Sequence, residues 1–149
     1  MTEQIIINNI ENYIQEIING NLVLTPKKKY LTENELNMSD ISGSKIEECL
    51  VESQTDTVST STTYRRILID IWKTMPTQLI LQTTAHNFKL TNENGTKGYN
   101  WCSDINMSFQ SKGAKDSLKE IINMVKLNKM TLNIAIKLEN GKLVYLKID

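Results

Sequence analysis

The sequence has one histidine, two cysteines, two prolines, no net charge and no apolar run longer than a few residues. Each scarcity excludes something. His86 with Cys49 and Cys102, scattered along the chain, does not make a zinc-ligand spacing. One conceivable disulfide is a poor framework for a secreted protein of this size. No stretch is long and apolar enough to span a membrane. The first ten residues hold Glu3 and no basic region or small-residue cleavage site, so no signal peptide is expected. On that reading the protein is reduced and cytoplasmic, and the sequons at Asn37, Asn94 and Asn106 are chance products of an Asn-, Ser- and Thr-rich chain. Seventeen basic and seventeen acidic side chains cancel, so no global field marks a nucleic-acid binder. No phosphate-binding loop appears either: Gly95-Thr96-Lys97-Gly98 lacks the P-loop spacing and reads as a turn.

What remains is a globular composition. Hydrophobic residues make up 40% of 149, enough for one domain or a compact domain with an arm. Abundant Ile, Asn and Lys with only 6% aromatics is the bias of A/T-rich coding, as in large DNA viruses and some protists. Charge is unevenly spread. Residues 1–63 carry 4 Lys against 10 Asp and Glu, a net of −6, whereas residues 64–96 carry +2 and residues 97–149 carry +4. The two halves can attract each other within one chain or across a dimer, and the basic half can meet an anionic partner.

Residues 2–19 read as an amphipathic helix, with Ile6, Ile10, Tyr13, Ile14 and Ile17 along one stripe and Gly20 as its left-handed stop. That stripe is either core or a dimer seam. Residues 21–25 suit a short strand or an extended exit, and Lys27-Lys28-Lys29 a solvated loop. Capping boxes at Thr32–Glu35 and Ser44–Glu47 predict short helices over 33–38 and 45–51. Residues 53–63, eight of eleven Ser or Thr, break the composition as a linker. The expected organisation is therefore a helical segment over 1–52, a linker over 53–63 and an α+β domain over 64–149.

Within that domain a helix over 64–74 precedes strands at 78–84, 87–91 and 105–110, with 99–102 a short strand or an aromatic loop. A helix over 114–128 and a hairpin turned at Asn140-Gly141 close the chain. A two-residue type I′ turn there sets Leu138 opposite Leu143, Ile136 opposite Tyr145 and Ala135 opposite Leu146. The last strand is then apolar on both faces, and one helix covers only one of them. The fold class expected is α+β, a mostly antiparallel sheet packed by one helix of the C-terminal half, with N-terminal helices.

The chemistry that could be carried is thin. A Cys102–His86 nucleophile and base need hydrogen-bond contact, and no local signature surrounds either residue. A nucleic-acid surface would use Lys97, Tyr99, Trp101, Lys112 and Lys115, since sheet aromatics stack bases. No RNP-like motif accompanies them. The function expected is a non-enzymatic interaction or structural module that self-associates through Ile6, Ile10, Tyr13, Ile14 and Ile17. No cofactor, metal, membrane or small-molecule ligand is implied.

Overall fold

The computed structural model describes residues 13–26 and 29–149. Its architecture is mixed α and β, with three α-helices and ten strands in three sheets among the described residues. The N-terminal helices expected from the sequence are absent from those residues, and three sheets stand in place of the single sheet expected. Residues 13–26 form a hairpin of strands β1 (Tyr13–Ile18) and β2 (Asn21–Pro26). Asn19 and Gly20 both have positive φ, 52° and 80°, as a two-residue type I′ turn requires. Gly20 thus turns a hairpin instead of stopping a helix. Tyr13, Ile14 and Ile17 belong to β1, whose β-branched content favours a strand. Ile6 and Ile10 lie outside the described residues.

The central sheet is ordered β3 (Tyr30–Leu31), β10 (Leu143–Ile148), β9 (Thr131–Lys137), β4 (Lys45–Glu52) and β5 (Thr57–Ser59). Its pairs are antiparallel except β3 with β10. Strand β4 replaces the helix expected over 45–51. The pairing shifts between Ile46 and Glu48, so Glu47 is an extra residue and the inward positions become Ile46, Cys49 and Val51. A bulge that spaces buried residues by three and then two imitates a helical stripe. Ser44, expected as a cap, instead shares a 2.7 Å hydrogen bond with the Tyr64 hydroxyl. The Thr32–Glu35 pair does form, with the Thr32 N–H donating to the carboxylate at 3.2 Å. It opens only a 3-10 turn, Glu33–Glu35, and a second such turn follows at Met38–Ile41.

The expected linker is tied into this sheet. Its Ser53 and Asp56 close a turn, β5 pairs with β4, and Thr63 caps helix α1 (Tyr64–Trp72) by accepting from the Arg66 N–H. The Ser59 and Ser61 hydroxyls both donate to Asp70 on α1, at 2.7 and 3.1 Å. The boundary drawn at 53–63 therefore runs through one sheet.

After α1, residues expected as a strand form helix α2 (Thr77–Thr83). A contiguous run such as Leu79-Ile80-Leu81 does not distinguish strand from helix. Pro76, beginning a helix as well as following one, decides it. A three-stranded antiparallel sheet follows, ordered β6 (Phe88–Lys89), β8 (Met107–Gln110) and β7 (Tyr99–Cys102). Helix α3 (Ala114–Leu127) then covers one face of the central sheet. Leu118, Ile121 and Val125 on α3, Ile67, Leu68 and Trp72 on α1, and Leu132, Ile134, Ile136 and Leu146 in the sheet form its core.

The closing hairpin differs by one residue from its expected register. Ile136 pairs with Val144, Ala135 with Tyr145 and Ile134 with Leu146. The Gly141 N–H bonds the Leu138 carbonyl, the Leu138 N–H bonds the Lys142 carbonyl, and Gly141 alone in the turn has positive φ. This is a three-residue loop with a glycine bulge, not a type I′ turn. The slip exchanges faces. Val144, Leu146 and Ile148 now join the inward side, and Leu143 and Tyr145 share the outer side with Lys137 and Ala135.

Replacing Asp70 by Ala removes the acceptor of the buried Ser59 hydroxyl and one of the two carboxylates that hold Arg66. The expected cost is about 1–3 kcal/mol in urea unfolding; an unchanged midpoint would show that Asp70 does not pin this segment.

Candidate interaction surfaces

Because α3 covers one side only, the central sheet presents a second face, which the pairing resolves into three rows. The first is Leu143, Lys137 and Lys45; the second Tyr30, Tyr145, Ala135 and Glu48; the third Lys147, Asn133 and Leu50. Leu143 and Tyr30 are 41% and 44% exposed. The Tyr30 and Tyr145 rings meet edge-on, 5.8 Å between centroids. Two hollows of about 390 Å³ each lie along the middle row, both lined by Ala135 and Tyr145. Lys45 sits directly opposite Lys137, and Glu48 in the neighbouring row lines both hollows, so the face carries both signs of charge. A larger hollow of about 750 Å³ lies at the end of the sheet. Its Glu35 is engaged by Thr32, which holds the carboxyl below its ordinary range, and its Glu139 packs onto Gly43, where a Cβ would meet the carboxylate at 2.9 Å.

The β1–β2 hairpin is the second surface. Ile17 and Leu22 are cross-strand partners, 78% and 61% exposed, and Ile18 beside them is 47% exposed. No third strand pairs with the hairpin among the described residues. Of the stripe expected to mediate association, Ile17 is therefore exposed, but as part of a strand row with Leu22, which the sequence reading did not include.

The third surface is the outer face of the three-stranded sheet. Tyr99 and Trp101 alternate onto it, both half-buried, and Lys89 from β6 places its ammonium 5.6 Å from the Tyr99 ring centroid. Lys89 was not among the residues singled out from sequence; its place beside Tyr99 depends on two strands pairing through β8. Part of this face is covered by its own loop, since Ser108 accepts from the Glu93 N–H and donates to the Thr91 carbonyl. Lys97 lies in an exposed turn at φ 50°. Lys112 donates to the Ala85 carbonyl at 2.7 Å, and Lys115 lies in the first turn of α3. Of the five residues proposed for nucleic acid, Tyr99 and Trp101 share this strand face, and Lys97 joins them through its carbonyl, which accepts from Gln110 Nε2 at 2.7 Å.

His86 and Cys102 are both buried, and no hydrogen bond joins them. The imidazole stands edge-on to Trp72 and Phe109, and neither of its nitrogens has a hydrogen-bond partner. Burial, reinforced by Lys112 and opposed by Asp116, lowers its pKa from 6.5 to about 4. Cys49 is also buried, and desolvation followed by the nearby Asp70 charge pushes its thiol up to about 12, away from the nucleophilic thiolate. The segment before His86 is clamped from both sides. Glu120 on α3, itself 4% exposed, accepts the Ala85 N–H through both oxygens at 3.2 Å, while Lys112 holds the carbonyl. Burial raises the Glu120 pKa, with the Ala85 bond and Lys112 opposing. Among the described residues no three His, Cys, Asp or Glu side chains are grouped to hold a metal, and no helix is long and apolar enough to cross a membrane.

A histidine whose folded pKa is depressed stabilises the fold fully above pH 6.5 and loses that contribution as pH falls towards 4. Glu120, with its raised pKa, acts in the opposite sense. His86→Phe should therefore flatten the acid limb of urea-derived stability by on the order of 2–3 kcal/mol across this window; equal slopes in both proteins would refute the assignment. The chain matches no family model, no curated protein and no solved structure.

Proposed function

We propose that this protein is a non-catalytic interaction module that self-associates, working in the cytoplasm, where Cys49 and Cys102 remain thiols. The observation that carries the reading is the β1–β2 hairpin. An isolated two-stranded sheet is marginal in water, and this one turns Ile17 and Leu22 outward as a pair. Burying each side chain fully is worth about 1.5–3 kcal/mol. One hairpin then supplies roughly 3–6 kcal/mol, close to the lower end of the roughly 4–15 kcal/mol cost of association. Two hairpins related by a two-fold axis double the gain against a single association cost, which favours a symmetric dimer.

A second reading has one specific observation in its favour: Lys89, Tyr99 and Trp101 share a sheet face, an arrangement on which single-stranded nucleic acid can stack. Single-stranded RNA binding followed by fluorescence anisotropy should then weaken with salt and fall roughly 5- to 150-fold in Trp101→Ala, the equivalent of about 1–3 kcal/mol for one stacked base. A flat titration at low salt removes this reading.

For the first reading, light scattering across a concentration series should give a dimer mass for the full chain. The double variant Ile17→Asp/Leu22→Asp should give a monomer with an unchanged circular dichroism spectrum and a melting temperature that no longer rises with protein concentration. A monomer mass for the unmodified chain at every concentration would defeat it.

A further inference from the structure

We infer that Asn19-Gly20 is a self-modification site, where the asparagine loses its amide through a succinimide ring and the hairpin turn is rebuilt. Three of the six glycines follow an asparagine, at Asn19-Gly20, Asn94-Gly95 and Asn140-Gly141. On local grounds the chemistry is open to all three, because glycine has no side chain to shield its backbone nitrogen. The fold separates them.

Ring closure needs two groups free to rotate into contact, the glycine N–H and the asparagine amide. At the second pair both are held. The Gly95 N–H donates to the Tyr99 carbonyl at 2.8 Å, and the Asn94 side-chain oxygen accepts from the Trp101 N–H at 3.3 Å. The third pair is held in the same way. The Gly141 N–H donates to the Leu138 carbonyl at 2.9 Å, and the Asn140 side-chain oxygen accepts from the Lys142 N–H at 2.9 Å. That turn also joins β9 to β10 within the central sheet. Among the described residues neither the Asn19 side chain nor the Gly20 N–H is held, and both residues are exposed. Their turn closes a two-stranded sheet that no third strand joins among the described residues. Such a sheet is marginal in water and opens often, and each opening frees the turn to rotate.

The step balances with water as the only co-reactant. The Gly20 nitrogen gives up its proton and bonds to the Asn19 side-chain carbon, while the bond from that carbon to its amide nitrogen breaks. The proton leaves with the amide as ammonia, and a five-membered imide remains. Water then opens the ring at either carbonyl. One opening gives aspartate, and the other gives isoaspartate, with the main chain routed through the former side chain. Both add a carboxylate beside Ile18, ionised at neutral pH. Isoaspartate also adds a carbon to the main chain of a two-residue turn, so Ile18 opposite Asn21 and Ile17 opposite Leu22 lose their register. The consequence for assembly rests on the self-association reading: a chain aged in this way loses its association surface. The modification itself does not depend on that reading.

The full chain is incubated in mildly alkaline buffer and sampled over time. Each Asn-Gly peptide is followed by mass spectrometry, with enzymatic methylation to mark isoaspartate. Conversion at Asn19 should run roughly tenfold or more ahead of Asn94 and Asn140. In concentrated urea the three rates should converge, because the difference lies in the fold. Asn94 or Asn140 converting as fast as Asn19 in the folded chain would overturn the inference, and so would an ordering that persists in urea. Sedimentation velocity on the same samples should show dimer falling in step with isoaspartate at position 19. Asn19→Gly, which keeps a type I′ turn and removes the amide, should hold its dimer over the same time. A fully converted chain whose dimer is unchanged defeats the hairpin's part in assembly and leaves the modification site standing. A chain monomeric from the start, with Asn19 converting first, defeats self-association alone.

Discussion

The burial of β9 is the constraint on which the rest of the structure depends. Among the described residues it is the one strand of the central sheet flanked on both edges by long strands, β10 and β4, and its Leu132, Ile134 and Ile136 are 0–2% exposed beneath α3. A strand so placed must present its apolar residues to one side, and its neighbours must meet it in a register that does the same. Both neighbours carry an irregularity that achieves this. The extra residue in β4 brings Ile46, Cys49 and Val51 to the inward side, and the glycine bulge after β9 brings in Leu146 and Ile148. Sheet register follows the buried face, and the turns adapt to it.

The second layer extends this core to the smaller sheet. Trp72, fully buried at the end of α1, stands edge-on to His86, Phe88 and Phe109, so one indole joins the three-stranded sheet to the helices. Polar groups fix where this aromatic cluster sits. Glu120 and Lys112 hold the two sides of the Ala85 peptide, and Asp70 gathers the hydroxyls of the Ser/Thr-rich segment onto α1. Buried carboxylates that bond backbone or hydroxyl donors cost less than bare ones, and each fixes one geometry. His86 lacks such compensation, and its depressed pKa is the consequence.

Helix α3 covers only one side of the central sheet. With α3 on one side, the outer face of the sheet carries Tyr30, Tyr145, Leu143, Lys45 and Lys137 together with Glu48, and the β1–β2 hairpin exposes Ile17 and Leu22. The aromatic face of the smaller sheet is less open, since part of it is covered by its own loop through Ser108.

By itself the sequence determined the elements whose signals are local. Thr63 caps α1, the 3.6-residue stripe of Leu118, Ile121, Ile122 and Val125 makes α3, and an Asn-Gly pair marks a closing hairpin. The same kind of signal was present at Asn19-Gly20, but abundant Ile satisfied a helical period as readily as a strand and hid it. Tertiary structure decided the rest. That residues 45–52 are a strand depends on β9 lying alongside, because only then does the bulge make sense of a helix-like spacing. The register at Asn140-Gly141, and with it the exposed rather than inward Leu143, was set by burial of Ile134 and Ile136, not by the turn. Lys89 beside Tyr99, and Lys45 against Lys137, are meetings of residues from separate strands, and strand pairing is a long-range choice that no local pattern encodes.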